Sequence, residues 1–241
     1  MAMDTVKATV DYARSLEEKH GKNFRFTITT NGVLLNEENI AYINREMSNV
    51  VLSLDGRQPV NDRMRPTVNG KGSYEVIVPK FQKLVAGRGT KDYYVRGTFT
   101  RDNLDFSQDV LHMGDLGFRH VSVEPASGPL DDPFAIKEED LEKVEAEYEK
   151  LAGQLMERPD INFFHFNVDL AQGPCVIKRL RGCGAGCEYV AITPDGDIYP
   201  CHQFVGKEEY RMGNVFDGSF DMDISGTFAQ QNIYTRPACR E

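Results

Sequence analysis

The chain has 241 residues, a formal net charge of −9, 40% hydrophobic and 27% charged residues, and five cysteines. This describes one large globular domain, or a medium domain with a small companion. The negative charge argues against nucleic-acid binding, whose phosphate contacts need clustered Lys and Arg. No apolar run approaches the roughly 20 residues of a membrane helix, and the opening residues lack the charged start and apolar core of an export signal. The cytoplasm is therefore the expected location, where thiols stay reduced and grouped cysteines favour metal or redox chemistry over disulfides.

Up to about residue 165 helix and strand patterns alternate. Asp4 is placed to cap a helix carrying Val6, Val10, Ala13 and Leu16, which His20-Gly21 ends. FRFTIT (24–29) is a β-rich run, and Asn36 is placed to cap a helix over 37–46. VVLSL (50–54) is a continuous apolar strand of the kind buried on both faces. A Gly- and Pro-bearing loop over 55–72 leads to a helix with Tyr74, Val76, Ile77, Phe81 and Leu84. YYVRGTF (93–99) is a strand, Asp105 a cap for the helix running to Leu116-Gly117, and HVSVEP (120–125) a strand ended by proline. An acidic helix follows, with Leu141, Val144, Tyr148, Leu151 and Leu155 on its inner face, then a strand over 162–168. This order predicts parallel strands joined by crossover helices. Polar residues gather at the strand ends: Thr29-Thr30-Asn31-Gly32, Ser53-Leu54-Asp55-Gly56, Thr98-Phe99-Thr100 and Glu124-Pro125. Ligands bind at that edge in α/β sheets and barrels. Near Asp169 the character changes to Gly, Cys and short strands, which divides the chain into 1–168 and 169–241. The second part is too poor in apolar residues to build much core, and such modules often need a metal staple.

That part contains CGAGCEYVAITPDGDIYPCHQF, with Cys183, Cys187, Cys201 and His202 around a hairpin that turns on Pro194-Asp195-Gly196. Cysteines at both mouths of a hairpin bring thiolates toward one point, and thiolates bind zinc or hold iron–sulfur clusters. Spacing does not choose between the two. A buried free thiol is the plain alternative, most of all for Cys175.

CGAG followed by PDGDIYPCH resembles the opening of the SPASM domain, the cluster-binding extension of certain radical S-adenosylmethionine (SAM) enzymes. TTNG, SLDG with Asp62 and Arg65 after it, and VRGTFT resemble strands three, four and five of the radical SAM barrel. GPCVIKRLRGCGAG with YPCHQFVG and MGNV resembles the maturases of six-cysteine peptides (SCIFF). The resemblance implies an α/β fold: a partial (β/α)6 radical SAM barrel over 1–168 without its first strands, then a partial SPASM iron–sulfur domain over 169–241. The family's CxxxCxxC segment has no counterpart, since the first cysteine is Cys175, and the run that Cys239 would open stops two residues later. Two auxiliary clusters need about eight thiolates, the radical cluster takes more, and five are present. The chain is thus expected to be an internal fragment, inactive alone, holding at most one [4Fe-4S] cluster incompletely.

By resemblance, Cys183 and Cys201 ligate the first auxiliary cluster, Cys175 or Cys187 is the third ligand, and Cys239 belongs to a second cluster. His202 stands where related enzymes carry an Asp beside the third ligand. It is a candidate base or hydrogen-bond partner of a cluster sulfur, or else a solvent-facing histidine. Thr30, Asn31, Ser53, Asp55, Arg96 and Thr98 are the candidate SAM contacts, with hydroxyls and amides for the ribose and Arg for the carboxylate. The same residues also serve turns, and Arg65 is expected to clamp its own loop through Asp62. The implied activity is radical formation of a thioether between a cysteine sulfur and an α-carbon of a ribosomal precursor peptide. The alternatives are a zinc-stabilised peptide-binding module using Cys183, Cys187, Cys201 and His202, and a degenerate metal-free α/β scaffold. A missing strand would leave an unpaired sheet edge, a template for self-association.

Overall fold

The computed structural model describes residues 2–129, 131–168, 182–232 and 234–235. Two compact units are present, Met1–Asn167 and Val168–Glu241.

In the larger unit α1 (Met3–His20) ends at Gly21, whose φ of 59° places it in the left-handed region that a helix C-terminus favours. Asp4 lies inside the first turn, where its charge meets the helix dipole; it is not the cap. β1 (Thr27–Thr30) is followed by α2 (Glu37–Glu46). Asn36 caps that helix, its Oδ1 accepting from the Asn39 N–H at 2.8 Å. The remaining strands are β2 (Asn49–Ser53), β3 (Asp92–Phe99), β4 (His120–Pro125) and β5 (Asn162–Phe163). α3 (Gln58–Met64) and α4 (Tyr74–Ala86) connect β2 to β3; α5 (Ser107–Asp115) and α6 (Leu141–Met156) follow β3 and β4. The five strands pair in chain order, all parallel, so crossover helices join them, as the alternating pattern predicts. Among the described residues, β1 pairs with β2 alone.

One face of this sheet makes the core. Val50, Leu52, Leu54, Val95, Phe99, Val121, Val123 and Phe163 point into it and meet Ile43, Ile77, Phe81, Phe106, Val110, Met113 and Leu151 from the helices. The other face follows from the period of two: Val51 and Ser53 on β2, Tyr94, Arg96 and Thr98 on β3, and Glu124 on β4 are all half-buried or exposed. The strand over 50–54 is therefore buried on one face only. Parallel sheets are ordinarily covered on both faces; here the second face is polar.

Other expectations need correction. Residues 55–72 are not all loop, since α3 interrupts them. Its sequence, QPVNDRM, starts with Pro in the first turn but has no apolar stripe to betray it. Asp105 does not cap α5; its carboxylate holds Arg57 at 2.8 and 3.0 Å. That ion pair keeps the Asp105 carboxyl below the usual carboxylate range. Leu141 is exposed, so the inner face of α6 starts at Val144. The strand at 162 stops after two residues and tightens into a 3₁₀ turn over Phe164–Phe166.

Two histidines in this unit set a pH dependence. The His112 Nε2 lies 2.6 Å from the Tyr74 hydroxyl. His120 sits edge-on to the rings of Tyr93 and Tyr94, its Nδ1 buried without a partner among the described residues. Burial lowers the pKa of both. Above about pH 6.5 folded and unfolded histidines are alike neutral; below it the unfolded chain takes up protons first, which favours unfolding. The thermal midpoint is expected to fall as pH drops from 7.5 toward 5, with a shallower slope in a His112→Gln/His120→Gln variant. Equal slopes in a thermal-melt series would contradict this.

The smaller unit is an antiparallel sheet of four short strands, β6 (Ala191–Ile192), β7 (Asp197–Tyr199), β8 (Gly213–Asn214) and β9 (Ser219–Phe220), in that order. The β6–β7 hairpin turns on Gly196, with φ 83°. It agrees with the reading of TPDGD as a Gly-relaxed turn. α7 (Met222–Gln230) follows, capped by Asp221, whose Oδ1 accepts from the N–H groups of Asp223 and Ile224 at 2.8 and 3.1 Å. Among the described residues of this unit the buried apolar set is small: Ile198, Tyr199, Cys201 and Met212. Beside it is an aromatic cluster of Phe204, Tyr210 and Phe228.

Candidate functional site

In the larger unit the candidate site is the polar face of the sheet. Strand register aligns Ser53 with Arg96 and Arg96 with Ser122, and sets Thr98 beside Glu124. Arg96 forms an ion pair with Glu124, whose second oxygen accepts from the Ser122 hydroxyl at 3.3 Å. One surface thus presents the Ser53 and Thr98 hydroxyls, a guanidinium and a carboxylate near the C-terminal ends of β2, β3 and β4, while Ser122 is buried against Glu124.

The six expected SAM contacts divide. Ser53, Arg96 and Thr98 stand on this face. Asp55 is buried, with both oxygens engaged: Arg65 donates to them at 2.7 and 2.8 Å, and the Thr98 N–H adds a bond at 3.0 Å. Gly97 makes this approach possible, because a Cβ there would lie 2.6 Å from the Leu54 carbonyl oxygen. Arg65 therefore clamps Asp55, not Asp62. Asp62 instead accepts from the Tyr74 N–H at the start of α4, at 2.8 Å. Thr30 is buried, its hydroxyl accepting from the Gly32 N–H at 3.1 Å. Asn31 is exposed and bonds the Val33 N–H at 3.3 Å within its own turn. Ser122 was not singled out from the sequence, although two-residue alternation from Glu124 was the available signal.

In the smaller unit Cys183 and Cys201 come together. The Tyr189 hydroxyl donates to the Cys183 sulfur at 3.6 Å. The phenol pKa is pushed well up, first by the hydrogen bond with Cys183, then by burial and by the nearby Cys201 thiol. Both thiols therefore lie near the Tyr189 hydroxyl, which is hydrogen-bonded to that of Cys183. Cys201 is buried and Cys183 exposed. The His202 Nδ1 lies 3.5 Å from the Cys201 sulfur. The exposed Cys187 points elsewhere, its thiol donating to the Ser225 carbonyl of α7 at 3.3 Å. Cys175 and Cys239 lie outside the described residues. A Cys₃His zinc site would use Cys183, Cys187, Cys201 and His202, all of them described; among the described residues no three His, Cys, Asp or Glu side chains form a metal-holding group. Two converging thiols, one buried, with polar neighbours on both sulfurs, fit one side of a thiolate-held iron–sulfur cluster.

Comparison with known proteins bears on the smaller unit and on the fold. Residues 183–240 match SPASM, an iron-sulfur cluster-binding domain. The chain is similar to the cysteine-type anaerobic sulfatase-maturating enzyme of Clostridium novyi (strain NT), with 23% identity over 90% of this chain and 61% of that one. It is 30% identical to the mycofactocin maturase MftC of Mycobacterium ulcerans (strain Agy99) over 88% of this chain and 55% of that one. The chain therefore spans little more than half the length of these relatives. Among solved structures, native anSMEcpe with bound AdoMet and Kp18Cys peptide matches 100% of this chain and 68% of that one, with a TM-score of 0.79 and 14% identity. At that identity the likeness shows the fold, an α/β architecture with a parallel sheet. No described helix is long and apolar enough to cross a membrane.

Proposed function

Starting from a chain related to the radical SAM/SPASM peptide maturases, we propose that it supplies the SAM-receiving sheet and part of the auxiliary-cluster site of an enzyme that modifies a ribosomally made peptide. The observation that carries this is the placement of Cys183 and Cys201 near one hydroxyl, that of Tyr189, inside the segment that matches the cluster-binding domain. Cys183 and Cys201 would hold the cluster, with Cys175 or Cys187 as third ligand and Cys239 reserved for a second. When bound, the cluster supplies one-electron chemistry and a place to hold a thiolate sulfur.

The protein's own residues do the rest. His202, its Nδ1 3.5 Å from the Cys201 sulfur, would take or hold a proton on that side of the site. On the sheet, the methionine part of SAM carries a carboxylate and an ammonium, and the Arg96–Glu124 pair offers a partner for each. Ser53 and Thr98 are hydroxyl partners for the ribose, and Ser122 steadies Glu124. The finer reading, a thioether between a cysteine sulfur and an α-carbon in a SCIFF-type peptide, rests on the resemblance of the segments around Cys183 and Cys201.

The sheet assignment is tested by calorimetric titration of SAM into the chain. Arg96→Ala is expected to weaken binding about 10- to 100-fold, the size of a lost hydrogen bond to a charged group, and Ser53→Ala by several-fold. Unchanged affinity in both variants would remove SAM from this face.

A further inference from the structure

We infer that Tyr189 is a positioning residue of the cluster site: its hydroxyl donates a hydrogen bond to the Cys183 sulfur and thereby raises the reduction potential of the cluster. This rests on the reading of Cys183 and Cys201 as cluster ligands.

The local backbone is built to bring Tyr189 back over Cys183. Gly184 and Gly186 have φ of 77° and 75°, values that side-chain-bearing residues rarely adopt. The N–H groups of Cys187 and Glu188 both donate to the Gly184 carbonyl, at 3.1 and 2.8 Å. The Gly186 N–H is shared between the carbonyls of Tyr189 and Pro200, at 3.0 Å each. That last contact ties the loop to the strand end that leads into Cys201. The result is a closed loop, with Cys183 at its entry, Tyr189 at its exit and Cys201 held alongside.

Packing does not account for the tyrosine. Its relative exposure is 43%, and among the described residues its ring stacks on no other; the aromatic cluster of this unit is Phe204, Tyr210 and Phe228. What is specifically placed is the hydroxyl, 3.6 Å from the Cys183 sulfur. The sulfurs of a thiolate-held cluster carry more negative charge in the reduced state. A fixed donor therefore stabilises that state more than the oxidised one, and the potential rises. The His202 Nδ1 neighbours the Cys201 sulfur, a second polar group whose removal can be compared with that of the Tyr189 hydroxyl.

The test uses the full chain, reconstituted without oxygen from ferrous iron and sulfide, with redox titration followed by electron paramagnetic resonance. Tyr189→Phe keeps the ring and removes the hydroxyl. Iron and sulfide content should match the unsubstituted protein, while the reduction equilibrium shifts about tenfold toward the oxidised form, about 59 mV for a one-electron couple. Tyr189→Leu, which removes the ring too, should give the same shift. An unchanged potential in Tyr189→Phe overturns the inference, and so does loss of cluster content in that variant, which would make the hydroxyl a requirement of assembly. If the unsubstituted chain takes up no cluster, the ligand reading itself fails and the inference falls with it.

Discussion

Cys201→Ser is expected to abolish the uptake of iron and sulfide. The Cys201 sulfur is the most enclosed of the described thiols, with 7% of the residue exposed, and it sits where the β6–β7 hairpin, His202 and Tyr189 meet. A serine hydroxyl stays protonated and is a poor ligand for iron that thiolates hold. Among the other described cysteines, Cys183 is itself a proposed ligand and the Cys187 thiol is turned to the Ser225 carbonyl. A second consequence follows from the small buried set of this unit. Metal binding and folding are one equilibrium in such modules, so iron and sulfide should raise the melting temperature of the unsubstituted chain and leave that of Cys201→Ser unchanged. Cys183→Ser should behave likewise. Cys187→Ser then separates the two candidates for third ligand: loss of iron names Cys187, retention names Cys175. Full uptake by Cys201→Ser would remove the hairpin from the cluster site.

Asp55→Ala is expected to cost the larger unit about 3–5 kcal/mol of stability, the range for breaking a buried ion pair by removing one partner. The Asp55 side chain is 3% exposed, and Arg65, its partner, remains 32% exposed at the side chain. Removing the carboxylate leaves the guanidinium without its anion and takes the acceptor from the Thr98 N–H. For a unit of this size the loss corresponds to a melting temperature lower by about 10 °C. Urea unfolding gives the direct measurement. If Asp55 served SAM itself, its replacement would lower affinity and leave stability near that of the unsubstituted chain; the geometry favours the opposite outcome.

These two residues also show what the sequence made legible. The cysteines at the hairpin mouths were visible because a tight turn forces its flanks together, and Thr193 to Asp197 has the composition of such a turn. The Asn36 cap and the Gly21 stop were visible for a similar reason, since a cap acts within a few residues. What could not be read was long-range pairing. Asp55 looked like a strand-end ligand because its partner, Arg65, lies across a helix that the sequence hides, and Arg65 looked equally suited to Asp62. Asp105 has the chemistry of a cap and is taken by Arg57 instead. Tyr189 could not be singled out from the sequence, because its place comes from a loop closed by hydrogen bonds, which leave no periodicity behind. The polar sheet face lay between these extremes. Its strand ends were evident, but that one side of the strand over 50–54 faces a polar surface emerged only from burial.

The central claim is that the cysteines of the smaller unit hold inorganic iron and sulfide. Iron, acid-labile sulfide and zinc, quantified together per chain after anaerobic reconstitution and desalting, test it most directly. Iron and sulfide in equal amounts, with zinc near zero and visible absorption that disappears on bleaching with a chelator, are the expected result. Zinc without sulfide, or a chain that binds none of the three, would contradict it.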